Sequence, residues 1–259
     1  MSLRVLGCSG AIAAGSHTTA FLLDSDTLID AGTGVGTLTL DALTVIDHVL
    51  LSHSHLDHVL GIPLLADAVM RRRHAAGRGP LQVHALPETL DALRQHLFNG
   101  VIWPDFTRLP SAEAPAITLH AFAVGDQLRL GQRVIEVLPA RHTVPACGFA
   151  VRHRGDARWW VYSGDTGPNP ALWQRLREKR LSALVIETAF SDDEAELAGL
   201  AQHHCPRTLL AELAQFTQAD CPIWLTHLKP GELDAVMAGL REPPQPLAPL
   251  VGGQVFQLD

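Results

Sequence analysis

Apolar positions along the chain fall into short runs, and the runs divide between two periods. Residues 3–7, 20–24 and 27–30 form short apolar runs bounded by glycine or aspartate, which predicts strands. A short amphipathic helix is expected near Leu38, Leu40 and Leu43, followed by a buried strand over 45–52. A helix at about 57–70 carries Leu60, Leu64 and Ala68 at helical spacing. The stretch 71–80, RRRHAAGRGP, is rich in breakers and predicts a loop. A strand (81–85) and a helix opened by Pro87 and Glu88 (87–97) come next. The middle predicts strands at 117–124, 127–131, 133–138, 147–153 and 158–163. The last third alternates helix (169–180), strand (183–187), helices (193–201 and 206–217), strand (221–226) and helix (231–240). Strands gather in the centre with helices to either side in sequence. The expected architecture is α/β: two sheets packed on each other with helices outside, in one domain over 1–259.

Composition narrows the class. Of 259 residues, 47% are hydrophobic and 18% charged, which supports a large core and excludes a disordered chain. Lys and Arg total 20 against 27 Asp and Glu, a net charge of −7, which argues against a nucleic-acid partner. Arg71, Arg72, Arg73 and Arg78 are the basic cluster, expected to be a solvated helix end. No apolar run approaches the roughly 18 residues of a membrane span. Cys8, Cys147, Cys205 and Cys221 form no C-x-x-C pair and are expected as reduced thiols. The apolar stretch before Cys8 is too short for a secretory leader, so the expected location is the cytoplasm. A homodimer is an allowed assembly.

The chemistry concentrates at His53-Ser54-His55-Leu56-Asp57-His58, where an apolar strand ends and a helix begins. Histidines two apart at a strand end point the same way and can grip one cation. Asp57 and His58 enter the first helical turn and can grip a second. A helix cap alone would need one such side chain, not four in six residues. Further candidates follow other apolar strands: His142 after 137–141, Asp165 after 160–164, and His227 after 223–226. His53, His55 and His142 with Asp165 make one four-ligand set. Asp57, His58 and His227 with the same Asp165 make the other, as two-metal hydrolysis requires. Nitrogen and oxygen ligands without thiolate suit Zn²⁺ best, with Mn²⁺ or iron as alternatives. Two divalent ions outweigh two aspartates and a bridging hydroxide, so the site would attract an anionic phosphodiester. Gly32-Thr33-Gly34-Val35-Gly36 could suggest a dinucleotide loop, but Thr37 stands where that fingerprint needs glycine.

These residues resemble the metallo-β-lactamase superfamily over nearly the whole chain, including Asp30-Ala31-Gly32 at a strand end. The resemblance implies an αββα sandwich with a dinuclear site at one edge and Asp30 supporting the metal loops. Three segments more narrowly resemble class II cyclic-nucleotide phosphodiesterases. They are His53 to Ile62 with its H-x-H-L-D-H core, the run from Ile186-Glu187-Thr188-Ala189-Phe190 to His203-His204-Cys205-Pro206, and Thr226-His227-Leu228-Lys229-Pro230. Pro63 and His204 depart from that family's pattern. The implied reaction is hydrolysis of 3′,5′-cyclic nucleotides (cAMP or cGMP) to 5′-monophosphates by a metal-bridging hydroxide. Asp57 would orient that hydroxide, and His203 would be the general acid, oriented by Glu187. Lys229 could hold phosphate, and Trp103, Phe106 or Phe190 could stack on the base. Alternatives are another superfamily hydrolase, acting on RNA ends, a cyclic phosphate sugar, a lactone or a thioester, and a non-catalytic metal-binding scaffold. The long basic arm typical of RNase Z has no counterpart in the sequence.

Overall fold

The computed structural model describes residues 1–241, 243 and 245–258. One sheet contains β1 (Ser2–Gly7), β2 (Ala20–Leu23), β3 (Thr27–Ile29), β4 (His48–Leu50), β5 (Leu81–Ala85), β6 (Ile117–Ala121) and β14 (Val255–Gln257). Their spatial order is β14-β1-β2-β3-β4-β5-β6. The other contains β7 (Gln127–Leu130), β8 (Arg133–Pro139), β9 (Cys147–His153), β10 (Arg158–Tyr162), β11 (Arg180–Glu187), β12 (Ile223–Thr226) and β13 (Leu247–Pro249). These lie in the order β13-β12-β11-β10-β9-β8-β7.

The layering follows from which faces are apolar. Leu3, Phe21, Ile29 and Leu50 of the first sheet meet Phe149, Trp160, Tyr162 and Val185 of the second in a common core. Phe21 packs edge-on against Trp160 and Tyr162, with ring centroids 5.6 and 5.0 Å away. Helices α1 (Leu40–Thr44), α2 (Leu56–Val59), α3 (Gly61–Ala75) and α4 (Pro87–Ala92) lie on the first half of the chain. Val59, Ile62, Leu65 and Val69 seal its outer face against Val49 and Val83. In the second half come α5 (Pro170–Arg177), α6 (Ala195–Ala201), α7 (Pro206–Leu213) and α8 (Leu233–Gly239). Leu172, Trp173, Leu209, Leu213 and Val236 cover the outer face of Leu184, Ile186 and Leu225. Each large apolar side chain so buried contributes about 1.5–3 kcal/mol. Asn169 caps α5, accepting from the Leu172 N–H, with Pro170 at its first position. The result is the expected αββα sandwich.

Several elements differ from expectation. The helix expected at 57–70 is split at Leu60 into α2 and α3, and α3 continues through Arg71–Arg73 into the predicted loop. Nothing in that arginine run breaks a helix before Gly77. Arg73 is also buried and does not belong to a solvated end. Its guanidinium donates to the Thr44, Ile46 and Gly79 carbonyls and pairs with Asp47. The strand expected over 45–52 is only His48–Leu50, because residues 51–52 leave the sheet toward the site. The three-residue strands β13 and β14 were not predicted. Among the described residues no helix is long and apolar enough to cross a membrane.

Candidate metal centre

Strand direction brings the candidate ligands to one edge. β8 and β10 both run antiparallel to β9, and β10, β11 and β12 are mutually parallel, so β8, β10, β11 and β12 end together. The loop after β4 joins them, since the Cys147 N–H donates to the Ser52 carbonyl. His53, His55 and His142 bring ligand atoms within 4.8 Å of one another, as do Asp57, His58, Asp165 and His227. Asp165 Oδ2 lies 3.8 Å from His53 Nε2 and 3.3 Å from His58 Nε2, and Asp165 Oδ1 lies 3.3 Å from His227 Nδ1. Asp165 therefore stands between the two sets. His142 Nε2 is 3.0 Å from His55 Nδ1. A third group, His142, Asp165 and His203, also lies within 4.8 Å, so His203 sits in ligand range of the first set.

The residues present fit divalent cations. His53 Nε2, His58 Nε2, His227 Nδ1 and Asp165 Oδ1 are buried, face the cluster and have no hydrogen-bond partner. Buried polar atoms are normally satisfied, and a cation is the partner these atoms lack. Burial pushes the His53, His55 and His227 imidazoles below their ordinary range and His142 down to about 4, which keeps their lone pairs free. Burial opposes the charge on Asp165, but His227 and His58 hold its carboxyl well below the usual range.

Outer contacts orient these ligands. Asp30 is fully buried and accepts from the Ser52 N–H at 2.7 Å, Ser52 Oγ at 2.8 Å, His58 Nδ1 at 2.8 Å and the Tyr162 hydroxyl at 3.1 Å. With Nδ1–H given to Asp30, His58 turns Nε2 toward the cluster. His142 Nδ1–H likewise donates to the Gln202 carbonyl at 3.2 Å. A Cβ on Gly10 would lie 2.6 Å from the His227 carbonyl oxygen, and one on Gly32 would lie 2.1 Å from the Asp57 carbonyl oxygen. Only glycine permits both approaches. Asp30 and His227 hold left-handed backbone, φ 54° and 64°, at this edge.

Glu187 is fully buried at the end of β11, and Oε1 accepts from His203 Nδ1 at 2.7 Å and from the Thr166 N–H at 2.9 Å. Burial opposes protonation of His203, but the Glu187 carboxylate outweighs it and raises the imidazole. The His203 ring stacks on His227 at 5.1 Å and lies 4.8 Å from the His142 ring. Phe190, 5.6 Å from His203, carries the Lys229 Nζ over its face at 3.6 Å. That face is therefore not open to a stacking base. Phe106 is core, and Trp103 packs against the same cluster. Sequence reasoning missed Tyr162, Gln202 and Gly10. The one signal for Tyr162 was that the chain's single tyrosine stands three residues before Asp165.

A profile of the beta-lactamase superfamily domain matches residues 26–232. The chain belongs to the beta-lactamase superfamily. This superfamily member is 27% identical over 209 residues to a probable 3′,5′-cyclic-nucleotide phosphodiesterase of Yersinia pestis, covering 71% of the chain and 57% of that protein. It is 26% identical over 277 residues to ribonuclease Z of Haloarcula marismortui, covering 88% and 86%. Unliganded yeast PDE1 superposes with a TM-score of 0.82 at 17% identity, covering 98% of both chains, a likeness of fold. The chain spans about half the length of the first two cyclic-nucleotide phosphodiesterases it matches. The superfamily's fold implies divalent metal binding, and the described residues include His/Asp groups that could hold a metal ion.

Proposed function

We propose that this chain is a metal-dependent phosphodiesterase that hydrolyses 3′,5′-cyclic nucleotides to 5′-monophosphates. The observation that carries the reading is a pair of adjacent ligand groups, Asp165 of one lying 3.8 Å from His53 of the other, with a glutamate-held histidine against them. His53, His55, His142 and Asp165 would hold one ion, and Asp57, His58, His227 and Asp165 the other. Zn²⁺ suits this thiolate-free donor set best, with Mn²⁺ or iron as alternatives. When bound, two such ions supply a nucleophile from water at neutral pH and neutralise phosphoryl charge.

The chain's own residues do the rest. Asp57, more open than Asp165 at 29% exposure, orients the attacking water through its carboxylate. His203, with Nδ1 tied to Glu187, offers Nε2 as the proton donor to the leaving 3′-oxygen. Glu187 fixes that tautomer and favours the protonated ring. The substrate is a small anionic phosphodiester, the chain acts as one hydrolase domain, and the four free cysteines suit the cytoplasm. The test is a hydrolysis screen with metals counted: cAMP, cGMP and a precursor tRNA with a 3′ trailer, scored for 5′-monophosphate or trailer release. Cyclic-nucleotide turnover supports the reading. Trailer release alone transfers the site to the ribonuclease Z class, and no turnover by metal-loaded protein refutes both.

A further inference from the structure

We propose that Lys229, braced on the face of Phe190, is the anion-selecting residue of this centre. Its ammonium would bind a non-bridging phosphoryl oxygen of the substrate and the phosphate of the product. The inference rests on the phosphodiesterase reading and adds a specificity residue to it.

Four observations converge. Lys229 is half-buried, yet among the described residues its ammonium has no ion pair or hydrogen bond; it lies over the Phe190 ring, 3.6 Å from the centroid, and its charge acts on His203. That distance is well inside cation–π range. Phe190 is itself buried, 5% exposed and packed on Ala189, Ala198 and Cys205. The backbone is pinned as well: the Leu228 carbonyl accepts from Ser9 Oγ at 3.0 Å and from the Gly10 N–H at 3.2 Å. Finally, the position is local to the chemistry. Phe190 touches His203, which stacks on His227, so the ammonium stands two ring contacts from a candidate ligand.

A surface lysine normally keeps its rotamer freedom and its water. This one is held over a buried ring on a hydrogen-bonded loop, and its N–H donors carry no protein partner among the described residues and face solvent beside the site. A preorganised cation of this kind favours a substrate that carries charge before reaction. A phosphodiester does, whereas a neutral lactone or thioester does not. Phe190 is thereby the positioning residue for Lys229.

The experiment uses wild type, Lys229→Met, Lys229→Arg and Phe190→Leu, each with metal content counted. Inorganic phosphate is titrated calorimetrically, and bis-p-nitrophenyl phosphate hydrolysis gives KM and kcat. Lys229→Met is expected to raise the phosphate Kd and the diester KM by about 10- to 100-fold, the range for losing a hydrogen bond to a charged group. It should change kcat less than KM and leave metal content intact. Lys229→Arg should restore most of the affinity, and Phe190→Leu should give an intermediate loss. Unchanged Kd and KM in Lys229→Met overturn the inference, as does loss of metal, which would make Lys229 structural. Cyclic nucleotides form a separate arm. Phosphate binding through Lys229 without cAMP or cGMP turnover keeps the inference and refutes the cyclic-nucleotide reading. Turnover with unchanged KM in Lys229→Met does the reverse.

Discussion

Replacing Asp30 by Asn should damage metal binding and stability together, although Asp30 itself joins no ligand group. Its carboxylate lies fully buried, and Oδ2 alone accepts from Ser52 Oγ, His58 Nδ1 and the Tyr162 hydroxyl. Asparagine keeps the shape but sets an amide donor where three donors converge. If its oxygen stays on the Ser52 N–H, His58 Nδ1 must become an acceptor and the ring proton moves to Nε2. That is the atom 3.3 Å from Asp165 that a cation would need bare. Removing one member of a buried charged network costs about 3–5 kcal/mol. Loss of the group orienting a metal-binding histidine typically weakens the metal by about 10- to 100-fold. The two effects separate experimentally. Denaturant unfolding in chelator reports the first, and Zn²⁺ competition against a chromophoric chelator reports the second. A variant less stable in chelator but with unchanged Zn²⁺ affinity would show that Asp30 only holds the fold, refuting the tautomer argument.

Asp165→Ala removes a carboxylate that belongs to one ligand group and lies 3.8 Å from His53 of the other, and should leave almost no metal by atomic emission; two retained ions would sink the proposed shared role. Gly10→Ala drives a methyl to 2.8 Å from His227 Cδ2. An overpacking cost of about 1–3 kcal/mol should come with selective loss of the ion held by Asp57, His58 and His227, read as metal stoichiometry. His203→Ala should slow cyclic-nucleotide hydrolysis by about 10²–10⁴-fold, the usual range for general acid catalysis, and p-nitrophenyl diester hydrolysis far less, because nitrophenolate leaves without a proton. Metal loss in that variant would instead make His203 a ligand, which its range to His142 and Asp165 permits.

Each part of the site that was legible in the sequence obeys a local rule. His53, His55, Asp57 and His58 fall within six residues because a strand end and a helix start present them together. His142, Asp165 and His227 each follow an apolar run, and parallel strands deliver such positions to a common edge without further information. The parts that were not legible depend on pairings that only the fold creates. Tyr162 reaches Asp30 across 132 residues, between the two sheets. β13 and β14 are three residues each, and their register comes from β12 and β1, not from any period of their own. The arginine run reads as solvated until Thr44, Ile46 and Gly79 turn their carbonyls toward Arg73. Phe190 and Lys229 make the same point about function. Read singly, one is a candidate base platform and the other a loop lysine. Placed 3.6 Å apart, the cation occupies the ring face and the ring fixes the cation.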